Sequence, residues 1–243
     1  MPHLEHGDVS LHYEVFGEGF PLLLFAPGGM RSRIEAWRTG PADPIATLSP
    51  HFRVIAMDQR NAGRSRAPVT ADDGWHSYTG DHLALLDHLG VERCHVLGRC
   101  IGGPYSLGLI EAAPERVTAA VLQQPIGLSA ENRSAFHAMF DAWAKDLVKR
   151  RPEVEEASLS RFRSNMYDGE FVFNVSRSFV QACQTPMLVL MGDDLYHPQE
   201  TSRDLVALAP RAELIERWKQ PDAEADAVAR VLAFLQEHTP TQG

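Results

Sequence analysis

The chain contains few cysteines and no long hydrophobic run, and each scarcity excludes a class of protein. The only cysteines are Cys94, Cys100 and Cys183, with no CxxC pair and no zinc-ligand spacing. A disulfide scaffold is therefore excluded and a metal centre has no support. The apolar runs are far shorter than the roughly 20 residues that span a bilayer. The first residues lack a basic segment followed by an apolar core, so we expect a cytoplasmic protein.

Basic residues are also scarce. Lys and Arg total 23 against 32 Asp and Glu, and the formal net charge is -9. A surface for nucleic acid or for an anionic membrane requires a basic field, so we expect neither partner. No GxGxxG follows a strand and no HExxH occurs, so we expect no cofactor and no metal. The sequence leaves a homo-oligomer open.

The remaining composition, with 44% hydrophobic and 23% charged residues among 243, is typical of a globular protein. Short apolar runs bounded by turn residues predict strands buried on both faces, at residues 21–27, 53–58, 94–98, 119–122 and 187–191. Residues 9–16 alternate and predict an edge hairpin. Helical periods lie between these runs, as at residues 81–89 and 225–235. This order predicts an α/β fold, a doubly wound and mostly parallel sheet.

The alternation of strand and helix breaks once, between residues 129 and 184. This segment is rich in charge and helix-like, and it contains no clear strand. We therefore expect a small helical cap at 129–184, inserted into a core of residues 1–128 and 185–243. A cap would cover the site beneath it and contribute substrate contacts. A pair of ordinary crossover helices is the alternative.

The segment that carries chemistry is residues 94–110, CHVLGRCIGGPYSLGLI. An apolar strand leads into a turn in which Gly98 and Gly102 flank Cys100, and an apolar helix follows, as a nucleophile elbow requires. The helix N-terminus would lower the pKa of the thiol, and the Ile101 amide would point at a developing oxyanion. A small buried cysteine in a glycine-rich turn is the alternative interpretation.

Four segments, in order along the chain, resemble motifs of the α/β-hydrolase superfamily: residues 25–30 (FAPGGM), residues 58–65 (DQRNAGRS), the turn around Cys100 (GRCIGG) and residues 186–198 (PMLVLMGDDLYHP). The resemblance implies that Cys100 is the nucleophile, as in dienelactone-hydrolase-like members, and that Gly29 or Met30 shares the oxyanion site with Ile101. In the second segment, Asn61 replaces the usual glycine. We expect its Asp58 and Arg60 to bond loop backbone and each other.

The chain departs from the family pattern at the acid and the base. Counted back from Pro198, Asp194 occupies the acid position, although Asp193 remains open. The family's histidine follows the last strand, but residues 212–221, AELIERWKQP, contain none. His197, in the acid loop, is the preferred base because that loop should lie beside the elbow. His137 in the cap, or no histidine at all, remains open.

Two functions follow from the resemblance. The first is a hydrolase in which Cys100 attacks an ester, thioester or lactone of a small-molecule acyl substrate, forms an acyl-enzyme and uses His197 and Asp194 to activate water. The second is a non-hydrolytic protein of the same fold with an incomplete triad: an acyl transferase, a lyase or a ligand-binding pseudo-enzyme. The sequence does not name the substrate.

Overall fold

The apolar runs of the sequence form one sheet. The structure is a computed structural model, which describes residues 2–241. Its strands are β1 (His3–His6), β2 (Val9–Phe16), β3 (Pro21–Phe25), β4 (Arg53–Met57), β5 (Cys94–Arg99), β6 (Val117–Gln123), β7 (Met187–Leu190) and β8 (Ala212–Ile215). They lie in the order β1-β2-β4-β3-β5-β6-β7-β8. The first two form the expected edge hairpin and β2 is antiparallel to β4, whereas the strands from β3 to β8 are parallel.

Helices cover both faces of this sheet. They are α1 (Pro44–Leu48), α2 (Trp75–His88), α3 (Gly102–Ala112), α4 (Arg133–Arg150), α5 (Glu156–Tyr167), α6 (Arg177–Ala182), α7 (Gln199–Leu208) and α8 (Glu224–Glu237). Side chains of α1 and α8 pack with one face of the sheet, those of α2, α3 and α7 pack with the other face, and the apolar cluster on that second face continues into α4, α5 and α6. The expected doubly wound, mostly parallel sheet is confirmed. Helices lie on both of its faces because continuous apolar strands need cover on both sides.

Three helices, α4, α5 and α6, lie between β6 and β7, where the sequence predicts the cap. Phe140 packs against Trp143 and Phe162 with ring centroids 5.2 and 5.3 Å apart, which joins α4 to α5. Arg31, in the loop after β3, donates to Asp146 of α4 at 2.7 Å. The helical content of this segment agrees with a cap at 129–184, and its separation from the core stays a proposal.

The carboxyl ends of the parallel strands bring three loops to one edge, as expected for a site in this topology. These loops follow β3, β5 and β7. The turn after β5 is tight: a Cβ at Gly98 would collide with the Gly102 carbonyl, and one at Gly102 with the Phe25 carbonyl. Two glycines at these positions are therefore required for strand and helix to approach so closely.

A buried ion network fixes the loop after β4. Arg60 donates to both carboxylate oxygens of Asp81 at 2.8 and 2.9 Å and to Asp73 at 2.7 Å. The expected bond between Asp58 and Arg60 was therefore wrong. Asp58 accepts instead from the backbone N–H groups of Ile34 and Arg64, each at 2.8 Å. Asp73 and Asp81 lie far from Arg60 in the sequence, so the spacing of residues does not predict that they pair with it.

We expect Arg60→Met to lower the free energy of unfolding by about 3 kcal/mol, because it leaves two buried carboxylates without their cation. Urea unfolding followed by circular dichroism measures this loss. Arg66→Met is the matched control, since Arg66 pairs with Glu153 where the side chains are 69% and 53% exposed. The control should change stability by less than about 1 kcal/mol. Equal losses in the two variants would contradict a stabilising role of the Arg60 network.

Candidate active site

Cys100 occupies a strained turn between β5 and α3. Its φ is 61°, in the left-handed region that non-glycine residues rarely adopt. The backbone around it is held: its N–H donates to the Gln123 carbonyl at 3.0 Å, and its carbonyl accepts from Gly103 at 3.1 Å and Ile126 at 3.2 Å. Such strain costs about 1–3 kcal/mol and persists where the surroundings enforce it, typically at functional sites. Cys100 as a whole residue is half-buried, whereas Cys94 and Cys183 are buried.

The groups that face the Cys100 sulfur stabilise its thiolate. Burial raises the pKa of this thiol. The neighbouring His197 and the backbone N–H groups of Gly28 and Ile101 lower the pKa by more than burial raises it, so the net pKa is below the usual value. The sequence predicted that the Ile101 N–H points at an oxyanion, which stays a prediction, and it did not predict a role for Gly28. The predicted Gly29 and Met30 lie in the adjoining 3-10 turn, Gly29–Arg31. Gly28 has a φ of 123°, so the direction of its N–H depends on a backbone conformation that the sequence pattern does not specify.

His197 lies between Cys100 and Asp194. Its Nδ1 is 2.7 and 2.9 Å from the two carboxylate oxygens of Asp194, so Nδ1 carries the proton and donates. The side chain is buried, and its Nε2 has no aligned hydrogen-bond partner in the described part of the chain. Burial lowers the pKa of His197, but Cys100 and Asp194 raise it above the usual value. His197 and Cys100 therefore each favour the charged form of the other.

One short loop supplies both the acid and the histidine. The His197 N–H donates to the Asp194 carbonyl, and the Tyr196 N–H donates to the Asp194 carboxylate at 2.9 Å. A Cβ at Gly192 would collide with the His197 backbone, so this glycine permits the loop to fold back. The spacing of three residues thus places imidazole and carboxylate side by side, with their orientation set by local hydrogen bonds.

The alternative residues lie elsewhere. Asp193 pairs with Lys219, and Lys219 also donates to Gln124 at 3.0 Å. Among residues 2–241, no histidine contacts the Asp193 carboxylate. His137 pairs with Asp168 of the cap, Nε2 to Oδ1 at 2.8 Å. The geometry therefore brings Asp194 and His197 to Cys100 and leaves Asp193 and His137 in other contacts. The catalytic roles of these residues stay predictions.

Side chains of α4 contact two of the loops that form the candidate site. Phe136 of α4 contacts Phe173 and Tyr196, which lies in the acid loop, at 4.7 and 5.2 Å between ring centroids. The thioether of Met139 lies so close to Gly29 that a Cβ there would collide with it. Helix α4 therefore contacts both the acid loop and the loop after β3.

Two kinds of feature are absent from residues 2–241. No helix there is both long and apolar enough to cross a membrane. No group of three or more His, Cys, Asp or Glu side chains in the same range is arranged to hold a metal ion.

We expect iodoacetamide to alkylate Cys100 before the other thiols. Cys94 is fully buried and burial raises its pKa to about 12, and Cys183 is also buried. The rate at Cys100, followed by peptide mapping, should reach half its maximum below the ordinary thiol pKa of about 8.5, because the thiolate is the reacting form.

His197→Ala should move this midpoint to higher pH, because it removes the cation that lowers the pKa of Cys100. His137→Ala is the control and should leave the midpoint in place. Alkylation of Cys183 at the rate of Cys100 or faster would remove the argument for an activated nucleophile.

A large part of this chain matches a known protein family. Residues 21–173 match the family model described as alpha/beta hydrolase fold. A 2-hydroxy-6-oxo-2,4-heptadienoate hydrolase of Pseudomonas putida is 30% identical over 94% of this chain and 94% of its own length. A protein of Azorhizobium caulinodans, named as a carbamate hydrolase, RutD, is 39% identical over 48% of this chain, but the match spans only 42% of that relative.

Solved structures share the fold at low identity. A meta-cleavage product hydrolase from Pseudomonas fluorescens has a TM-score of 0.71 and 22% identity, and the match covers 95% of this chain and 96% of that one. The enol-lactonase from Burkholderia xenovorans has a TM-score of 0.70 and 22% identity, with 97% of this chain and 100% of that chain covered.

Proposed function

Since this chain belongs to the alpha/beta hydrolase fold family, we propose that it is a hydrolase in which Cys100 attacks an ester, thioester or lactone of a small-molecule substrate. The observation that carries the proposal is the line of side chains from Asp194 through His197 to Cys100, which ends at a helix N-terminus. The relatives named above as hydrolases of a carbamate, a lactone and a heptadienoate agree with hydrolysis in general. None of them determines the substrate of this chain.

In the acylation step, the thiolate of Cys100 forms a bond to the carbonyl carbon and the C=O π electrons move to the oxygen. Backbone N–H groups of Ile101 and Gly28, together with the adjoining Gly29–Met30 turn, stabilise that oxyanion. When the intermediate collapses, the bond to the leaving group breaks. The Nε2 proton of the His197 imidazolium passes to the departing oxygen or sulfur, and a thioester to Cys100 remains.

Deacylation needs the histidine as a base. A water oxygen attacks the thioester carbon while His197 Nε2 accepts the water proton, and Asp194 holds Nδ1–H and stabilises the resulting imidazolium. Collapse expels the Cys100 thiolate and releases the carboxylic acid. The thiolate and the imidazolium then pair again, so protons and electrons balance over the cycle.

The nucleophile limits the substrate class. A thiolate leaves a tetrahedral intermediate more readily than an amine does, so the intermediate formed from an amide would return to substrate. Alkoxide, enolate and thiolate leaving groups compete better than an amine does with the Cys100 thiolate for departure from the intermediate. Activated acyl compounds therefore fit Cys100, which is why we place esters, thioesters and lactones ahead of amides.

We expect p-nitrophenyl acetate to give a burst of nitrophenolate followed by steady turnover. His197→Ala should slow the steady rate by about 10²–10⁴-fold and the burst much less, because a helix-end thiolate attacks unaided while water needs a base. Stopped-flow absorbance separates the two rates. His137→Ala serves as the matched control and should keep both rates.

Two results would count against this mechanism. Unchanged burst and steady rates in His197→Ala would remove the proposed base. A single burst without turnover in the wild-type protein would instead favour the non-hydrolytic alternative, since acylation without deacylation is the behaviour of an incomplete triad.

A further inference from the structure

Two buried tyrosine hydroxyls share an unusually weak acceptor beside the candidate site. Tyr78 of α2 and Tyr167 at the end of α5 both direct their hydroxyls at the sulfur of Met30, at 4.0 and 3.6 Å. All three side chains are at most 1% exposed. A thioether is a poor hydrogen-bond acceptor, and buried tyrosine hydroxyls ordinarily find oxygen or nitrogen. The two donors are therefore better suited to a stronger acceptor than the one they contact.

The Met30 sulfur that these hydroxyls contact belongs to the loop that faces Cys100. Met30 follows Gly28 and Gly29 directly, and the Gly28 N–H faces the Cys100 sulfur. Burial and the nearby Tyr78 and Cys100 raise the pKa of Tyr167. Burial likewise raises the pKa of Tyr78. Both phenols therefore stay protonated at neutral pH and can donate to an acceptor that takes the place of the Met30 sulfur.

The charges around the pair favour a neutral acceptor over a carboxylate. Arg60 lies 5.7 Å from the Tyr78 ring, but it is already bound to Asp73 and Asp81. One cation and two carboxylates give this cluster a net negative charge. A substrate carboxylate there would lose its water without gaining a free cation, which is costly, whereas a ketone or ether oxygen loses little.

Aromatic rings pack against the rings of both tyrosines. Tyr167 stacks on Phe136 with centroids 5.4 Å apart and contacts Trp75 edge-on at 6.3 Å. Tyr78 stacks on Tyr105 at 4.9 Å. Methionine side chains have three rotatable bonds and adapt to irregular spaces, so the Met30 thioether is the most adaptable side chain in this cluster.

We propose that Tyr78 and Tyr167 are specificity-determining residues that bind a second, uncharged oxygen in the acyl part of the substrate, and that the Met30 sulfur occupies the place of that oxygen in the free protein. The substrate class is thereby narrowed to acyl groups with an apolar body and a keto or ether oxygen. This inference rests on the proposed function for the identity of the reacting acyl group.

The test compares acyl groups that differ in one oxygen. The pairs are p-nitrophenyl levulinate with p-nitrophenyl valerate, and p-nitrophenyl methoxyacetate with p-nitrophenyl butyrate. For each pair, the ratio of kcat/KM in wild type is divided by the same ratio in a variant, so the intrinsic reactivity of the esters cancels. Tyr167→Phe and Tyr78→Phe should each reduce the preference for the oxygen-bearing ester about five- to tenfold in at least one pair.

A control variant separates the hydroxyl effect from packing. Tyr13→Phe removes another buried tyrosine hydroxyl, which pairs with His88 at 3.1 Å outside the site, and should leave every ratio unchanged. A preference that survives in both Tyr78→Phe and Tyr167→Phe, or that falls equally in Tyr13→Phe, would overturn the proposal.

A second readout does not depend on turnover. Methyl levulinate should protect Cys100 from iodoacetamide in wild type better than methyl valerate or monomethyl succinate does, and Tyr167→Phe should abolish the difference. Selective protection without ester turnover would refute the proposed hydrolase and leave this binding site standing. Turnover without selective protection, or better protection by the charged succinate ester, would refute the binding site and leave the hydrolase.

Discussion

The contact between Asp194 and His197 is the interaction on which the candidate site depends. It joins two side chains three residues apart at 2.7 Å, inside a loop that Gly192 allows to fold back. Asp194 fixes the proton on Nδ1, which leaves Nε2 free to face Cys100. The lowered pKa of the thiol and the raised pKa of the imidazole both follow from that orientation. The N–H groups of Gly28 and Ile101 then act on a thiol that already faces the oriented imidazole of His197.

The parallel sheet makes such a local pair useful. Strands β3, β5 and β7 end at one edge, so the Gly28 turn, the Cys100 turn and the acid loop meet without any long excursion of the chain. The strain at Cys100 is tolerated because its backbone N–H and carbonyl are tied to Gln123, Gly103 and Ile126. These hydrogen bonds hold the Cys100 backbone in one conformation, which fixes the direction of its sulfur atom.

The sequence allowed the sheet to be predicted because its strands are continuous apolar runs between turn residues, and it located Cys100 because glycines must flank so tight a turn. Even Asn61, the departure from glycine, agrees, since asparagine tolerates the φ of 60° that the turn imposes. The partners of Arg60, the N–H of Gly28 and the hydroxyls of Tyr78 and Tyr167 were not predictable. They depend on backbone direction or on contacts between distant segments, which residue types and spacings do not encode.

The position after β8, where the family pattern places its histidine, has a different use in this chain. Trp218 donates to the Met191 carbonyl at 2.8 Å, and Lys219 pairs with Asp193 while donating to Gln124. These bonds hold the start of the acid loop, at Met191 and Asp193, immediately before Asp194. The proposed base, His197, and its partner Asp194 lie on the same loop, so a shift of the loop would move both side chains away from Cys100. The Lys219–Asp193 pair opposes such a shift, because it ties the residue before Asp194 to the segment after β8.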